Sequence, residues 1–188
     1  MTIFSRPIVL AVVFLVIAAS ASGAAEIPSA KDYRSANALF AARKYQEALV
    51  LYKKALVAPP QQVPAGDIHA RIGDSYFNLG NFRGALESYR LAMQDKNTTD
   101  RAQTQYWVGF CCYLTGRDSE AVTELLKVPS QYPQAAAWGT TAYYWAGRAS
   151  ERMGKKEQAA EYYKKAGGNG KTTQARFAQK KADSVNKK

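Results

Sequence analysis

The sequence predicts an all-α fold: an α-solenoid of about four helical hairpins with a C-terminal capping helix, after an N-terminal signal peptide. Three observations predict it. A set of small residues recurs along the chain with constant internal spacing. A stop signal for a helix sits at the same place in each set. Apolar residues make up 47% of 188 residues, with 12 Tyr and only 7 Pro, which suits helices packed through aromatic rings.

Residues 1–24 have the anatomy of a secretory signal peptide. Arg6 is the only charge before Glu26, and the run Ile8 to Ala19 is unbroken apolar. Small residues Ser20 to Ala25 follow, so cleavage is expected after Ala24, with Ala21 the next choice. The apolar run is shorter than the about 20 residues a membrane span requires. The expected location is periplasmic or secreted; the alternative is an uncleaved N-terminal membrane anchor. No Cys lies near this zone to carry a lipid.

The repeat begins with a small residue at Ala36, Gly73, Gly109 and Gly147. An Ala follows at Ala48, Ala85, Ala121 and Ala159, then a bulky residue at Tyr52, Tyr89, Leu125 and Tyr163. Another small or branched residue closes each set at Ala55, Ala92, Val128 and Ala166. Successive units are offset by 37, 36 and 38 residues. Antiparallel helices approach closely only where contact positions are small, and bulky residues a turn away fill the space beside them. The turns fall at Arg43-Lys44, Gly80-Asn81, Gly116-Arg117 and Gly154-Lys155, three of them with the Gly that ends a helix.

These units resemble the tetratricopeptide repeat. Repeat one carries Ala36, Leu39, Phe40, Tyr45, Ala48, Tyr52 and Ala55 and ends at Pro60; repeat two carries Gly73, Tyr76, Phe82, Ala85, Tyr89 and Ala92. Repeat three has Gly109, Asp118 at the usual aromatic site, Ala121, Leu125, Val128 and Pro133. Repeat four has Gly147, Lys156 at that site, Ala159, Tyr163 and Ala166. The repeats are placed at about 29–60, 66–97, 102–133 and 140–168, within a domain at 25–170. The offsets exceed the family's usual spacing of about 34 residues. The extra residues are assigned to the connections Pro59–Pro64, Asp95–Asp100 and Pro129–Trp138. Such longer units look like those of bacterial envelope repeat proteins of the Tol–Pal-associated type. Residues 171–188 are expected to form a basic capping helix, with Ala175, Phe177, Ala178 and Ala182 facing the last hairpin and Lys180, Lys181 and Lys187 in water.

The resemblance implies a concave groove lined by the first helix of each hairpin, and a protein or peptide partner within it. Carried onto this chain, the groove positions are Tyr33, Asn37 and Phe40; Asp74, Phe77 and Asn78; Tyr106, Phe110 and Tyr113; and Tyr144, Arg148, Glu151 and Arg152. That lining is aromatic in the middle, with Arg148 and Arg152 one turn apart to hold an anion. On this reading, replacing Tyr106 and Tyr144 by Ala loses partner capture with little change in melting. The basic clamp by which some relatives hold acidic chaperone termini is mostly missing, because Tyr33, Gln103 and Trp107 stand at its basic sites.

No catalytic set is expected, and neither a cofactor nor a metal site. His69 is the only histidine and is read as a half-buried packing residue, with no second His or thiol partner near it. Cys111 and Cys112 are adjacent, which suits two buried small residues rather than a disulfide or a metal site. The formal charge of +11 would invite nucleic acid in another setting; export points instead to an anionic envelope polymer, lipid head groups or an acidic partner. Oligomeric state is not readable from the sequence.

Overall fold

The computed structural model describes residues 28–168 and 173–186. The signal peptide expected at 1–24 lies outside them. Among the described residues there are nine helices and no strand. They are α1 (Pro28–Ala41), α2 (Tyr45–Val57), α3 (Ala65–Asn78), α4 (Phe82–Gln94), α5 (Arg101–Leu114), α6 (Asp118–Gln131), α7 (Ala136–Arg152), α8 (Lys156–Gly167) and α9 (Thr173–Asn186). Each helix packs on the next in chain order, giving four hairpins and a final helix.

The repeated small residues sit where the helices touch. Ala36, Ala48, Ala85, Ala121 and Ala159 have no exposed surface. A Cβ added to Gly73 or Gly147 would lie 2.7 Å from the ring of Tyr89 or Tyr163. At Gly109 it would meet the Leu125 side chain at 2.6 Å and the Leu125 backbone nitrogen at 2.8 Å. A flexible side-chain tip can yield to such a contact, but a helix backbone cannot. Gly109→Val is therefore expected to cost about 3 kcal/mol, the upper end of the usual overpacking range, read from a urea melt.

The second-helix tyrosines are also tied by hydrogen bonds. The hydroxyl of Tyr52 donates to Asn37 Oδ1 at 2.7 Å, that of Tyr89 to Asp74 Oδ1 at 2.8 Å, and that of Tyr163 to Glu151 Oε2 at 2.7 Å. Repeat three replaces donor and acceptor together. Leu125 stands for the tyrosine and Phe110 for the Asn37 or Asp74 position, so neither leaves a buried polar atom without a partner.

All four intra-hairpin turns close the same way. In the second, Gly80 N–H donates to the Phe77 carbonyl at 3.0 Å and Asn81 N–H to the Tyr76 carbonyl at 2.9 Å. The same pair of bonds recurs at Arg43-Lys44, Gly116-Arg117 and Gly154-Lys155, a Schellman closure that needs a left-handed residue. Gly80, Gly116 and Gly154 supply it at φ between 74° and 78°, and Arg43 takes it at φ 61°. Only the first turn bears the Cβ strain of that conformation. Arg43→Gly is expected to stabilise the chain by about 0.5–1 kcal/mol, measured as a shift in denaturant midpoint.

Two expectations need correction. The third connection does not span Pro129–Trp138: Pro129 lies inside α6, Trp138 lies inside α7, and only residues 132–135 link them. The extra residues lengthen α7 to 17 residues instead. Gly139 faces the Pro129 ring there, and even a Cβ at that position would stand at an ordinary van der Waals distance of 3.6 Å. In α9, Ala175, Ala178 and Ala182 are buried as expected, together with Val185. Phe177 faces the last hairpin too, with its ring 5.9 Å from that of Tyr144, but remains 53% exposed. Lys181 does not stand free in water but reaches Glu151 at 3.3 Å; Lys187 lies outside the described residues.

Candidate functional site: a polar cleft between the first helices

The first helices α1, α3, α5 and α7 face one another unevenly. The α5 and α7 backbones pack directly, whereas α1, α3 and α5 are held mainly through α2 and α4. Aromatic rings fill the α5–α7 contact. Phe110 lies 4.5 Å from Trp145, Tyr113 lies 5.1 Å from Trp145, and Tyr106 lies 5.1 Å from Trp138 (centroid distances). Phe77 extends this chain of rings toward α3 through Trp107 at 4.9 Å.

A cleft of about 250 Å³ opens between α1, α3 and α5. Tyr33 contributes from α1, Asp67, Arg71 and Asp74 from α3, and Gln103 and Trp107 from α5, with Thr99 and Asp100 at the rim. The volume is below the usual range of a small-molecule pocket (about 300–1,000 Å³) and fits one or two side chains of a longer ligand.

The α4–α5 connection fixes the rim. Asp95 Oδ2 accepts from the Gly66 amide at the start of α3 (2.8 Å), and Oδ1 accepts from Asn97 (2.9 Å). These amide bonds, that of Asn97 foremost, hold the Asp95 carboxyl below its ordinary pKa. Asp67 accepts from the Thr99 amide at 2.8 Å and the Thr99 hydroxyl at 2.6 Å. Inside the cleft Arg71 reaches Asp74 at 3.4 Å. Burial raises the Asp74 carboxyl's pKa, against the opposing pull of the Tyr89 hydroxyl and Arg71.

Of the expected groove residues, the cleft brings together Tyr33 and Asp74. Asn37 is taken up by Tyr52. Asn78 is exposed at the end of α3 and donates to the Asp74 carbonyl at 2.8 Å. Phe40 is half-buried against Tyr45 at 5.2 Å. Phe77, Phe110 and Tyr113 are half-buried in the ring cluster. Tyr106 and Tyr144 are only 5% and 9% exposed, so the expectation that melting survives their truncation is corrected: they are core residues by packing.

The positive end is neutralised within the fold. Arg152 Nε donates to both Asp118 oxygens at 2.8 and 2.7 Å, Nη2 donates to the Tyr113 carbonyl at 2.6 Å, and the guanidinium lies 4.0 Å from the Tyr113 ring centroid. Arg148 sits beside Tyr144 and Glu151, at 3.4 and 3.9 Å. The odd Asp118 of repeat three is thus the clamp that holds Arg152.

The sequence reading passed over Asp67, Arg71, Thr99 and Asp100. Asp67 sits at a groove position of repeat two and was readable there, but the rim residues depend on how a connection folds back on α3. Elsewhere His69 is half-buried and its imidazole pKa is lowered, chiefly by burial. Cys111 and Cys112 are free and buried, and burial pushes their thiols up to about 12 and about 11. They remain protonated and poorly nucleophilic at neutral pH. Among the described residues no group of His, Cys, Asp and Glu is arranged to hold a metal ion, and no helix is long and apolar enough to cross a membrane.

Comparison with known proteins agrees with this architecture. A tetratricopeptide-repeat family model matches residues 33–98 and 70–136, and a second matches 140–166. Human protein O-mannosyl-transferase TMTC2 is 32% identical over 83 residues, 44% of this chain but 10% of that protein. The chain therefore spans about a tenth of that curated relative's length. YrrB, described as a TPR protein with an unusual peptide-binding site, superposes with a TM-score of 0.66 at 22% identity, covering 86% of this chain and 75% of its own. MamA from Desulfovibrio magneticus RS-1 gives 0.63 at 18% identity, with 86% and 95% coverage. A Parabacteroides merdae repeat protein gives 0.70 at 15% identity, with 85% and 60% coverage. At these identities the structures speak for the fold, while the family matches run through all four hairpins: the chain belongs to the tetratricopeptide repeat family.

Proposed function

We propose that this chain is an exported scaffold that captures an extended segment of a protein partner in the cleft between α1, α3 and α5, in cell-envelope assembly or maintenance. The observation that carries the reading is the cleft itself. It opens beside the ring-filled contact of α5 and α7, and its polar lining suits peptide backbone and side chains. The fold is a repeat scaffold of a family that is typically non-enzymatic. Export rests on the Arg6 and Ile8–Ala19 pattern of the sequence.

The test is photo-crosslinking in the native cell from a reactive side chain placed at Gln103 in the cleft, against one at the exposed Glu87 of α4. A partner captured from Gln103 and not from Glu87 is the expected result. Equal capture from both positions, or none from Gln103, removes the cleft as the binding site.

A second reading, binding to an anionic envelope surface, is favoured by the net charge of +11, which falls by one as Arg6 leaves with the signal peptide. Sedimentation with anionic vesicles across a salt series separates the two, since charge-driven surface binding fades as the Debye length shrinks. Retention at high salt counts against this second reading.

A further inference from the structure

We propose that the cleft between α1, α3 and α5 receives a lysine or arginine side chain of its partner, so that the captured segment is basic rather than acidic. This rests on the reading of the cleft as the partner site and adds the chemistry of the ligand.

The lining has a sign opposite to that of the whole molecule. Three carboxylates, Asp67, Asp74 and Asp100, face one guanidinium, that of Arg71, in a chain whose formal charge is +11. Arg71 is directed at Asp74, which leaves the α5 side of the cleft with Asp67 and Asp100. Asp67 takes its hydrogen bonds from the amide and hydroxyl of Thr99, both neutral groups, so its charge is not cancelled. Asp100 precedes α5 but makes no side-chain capping bond, and it is exposed.

The aromatic walls favour the same ligand. Tyr33 lines the cleft from α1 and Trp107 from α5, and aromatic side chains in a site attract a cation. The neutral amide of Gln103 remains for the partner's backbone. An acidic segment would meet unpaired carboxylates at the rim, and like charges brought together in a binding site are strongly unfavourable. The Arg148 and Arg152 pair offers it little, because both guanidiniums already face carboxylates of the fold.

The experiment uses the full chain and three fluorescein-labelled decapeptides of alternating sequence, Lys–Ser, Glu–Ser and Gln–Ser, read by fluorescence anisotropy. The Lys–Ser peptide is expected to bind most tightly. Asp100→Lys is expected to weaken it about tenfold while the melting temperature falls only slightly, because the Asp100 side chain makes no capping bond and only the dipole of α5 opposes the new cation. Asp100→Lys combined with Gln103→Lys is expected to reverse the preference toward Glu–Ser. If Glu–Ser or Gln–Ser binds the unmodified chain as tightly as Lys–Ser, the basic-ligand inference is overturned, while crosslinking from Gln103 still decides the cleft. If Lys–Ser binds but Asp100→Lys leaves its affinity unchanged, the peptide sits elsewhere and the inference is again overturned. Failure of all three peptides to bind also overturns it.

Discussion

Truncating Tyr106 and Tyr144 together to Ala is expected to unfold much of the chain at ambient temperature. Each ring is almost fully enclosed, Tyr106 among Trp107, Phe110 and Trp138, and Tyr144 among Trp145, Tyr163 and Phe177. Loss of a buried aromatic ring costs about 3–5 kcal/mol, through lost transfer energy and through the cavity left behind. Two such losses approach the whole stability of an ordinary domain, about 5–15 kcal/mol. Circular dichroism melts of the two single variants and the double variant check this. A double variant that melts within a few degrees of the parent would mean that neither ring supports the stack.

Tyr89→Ala is expected to cost at least about 3–5 kcal/mol at a single site. The ring is 1% exposed, fills the space above Gly73, and stacks on Trp107 at 6.2 Å. Its hydroxyl also supplies a hydrogen bond to Asp74, so truncation leaves that carboxylate against a cavity as well. Tyr89→Phe separates the two parts. It keeps the ring and is expected to cost about 1–3 kcal/mol, the price of an acceptor without its donor. Denaturant titration of both variants is the measurement; equal losses would assign the effect to the hydroxyl alone.

Much of the fold was legible because helix contact leaves a positional record. Ala36, Gly73, Gly109 and Gly147 mark where a second helix must come close, and the structure puts a bulky second-helix residue over each of the three glycines. The turns were equally readable, since glycine recurs where a left-handed residue is needed. The lengthening of α7 was not, because Pro129 reads as a break from sequence alone. The site was less legible for a related reason. Periodicity gives the face of a helix but not its distance from the next. Tyr33 and Tyr106 occupy equivalent positions in their repeats, yet Tyr33 borders an open cleft and Tyr106 is enclosed, because α5 meets α7 and stands away from α1.

The uneven spacing of the first helices has a mechanical consequence. A stack whose α5 and α7 are bolted together by rings, and whose α1 and α3 are joined mainly through α2, is stiffer at one end than at the other. Thermal bending should concentrate between the first and third hairpins. A guest lodged there would act as a wedge that sets the curvature of that half, while the far half holds its shape as a fixed mount.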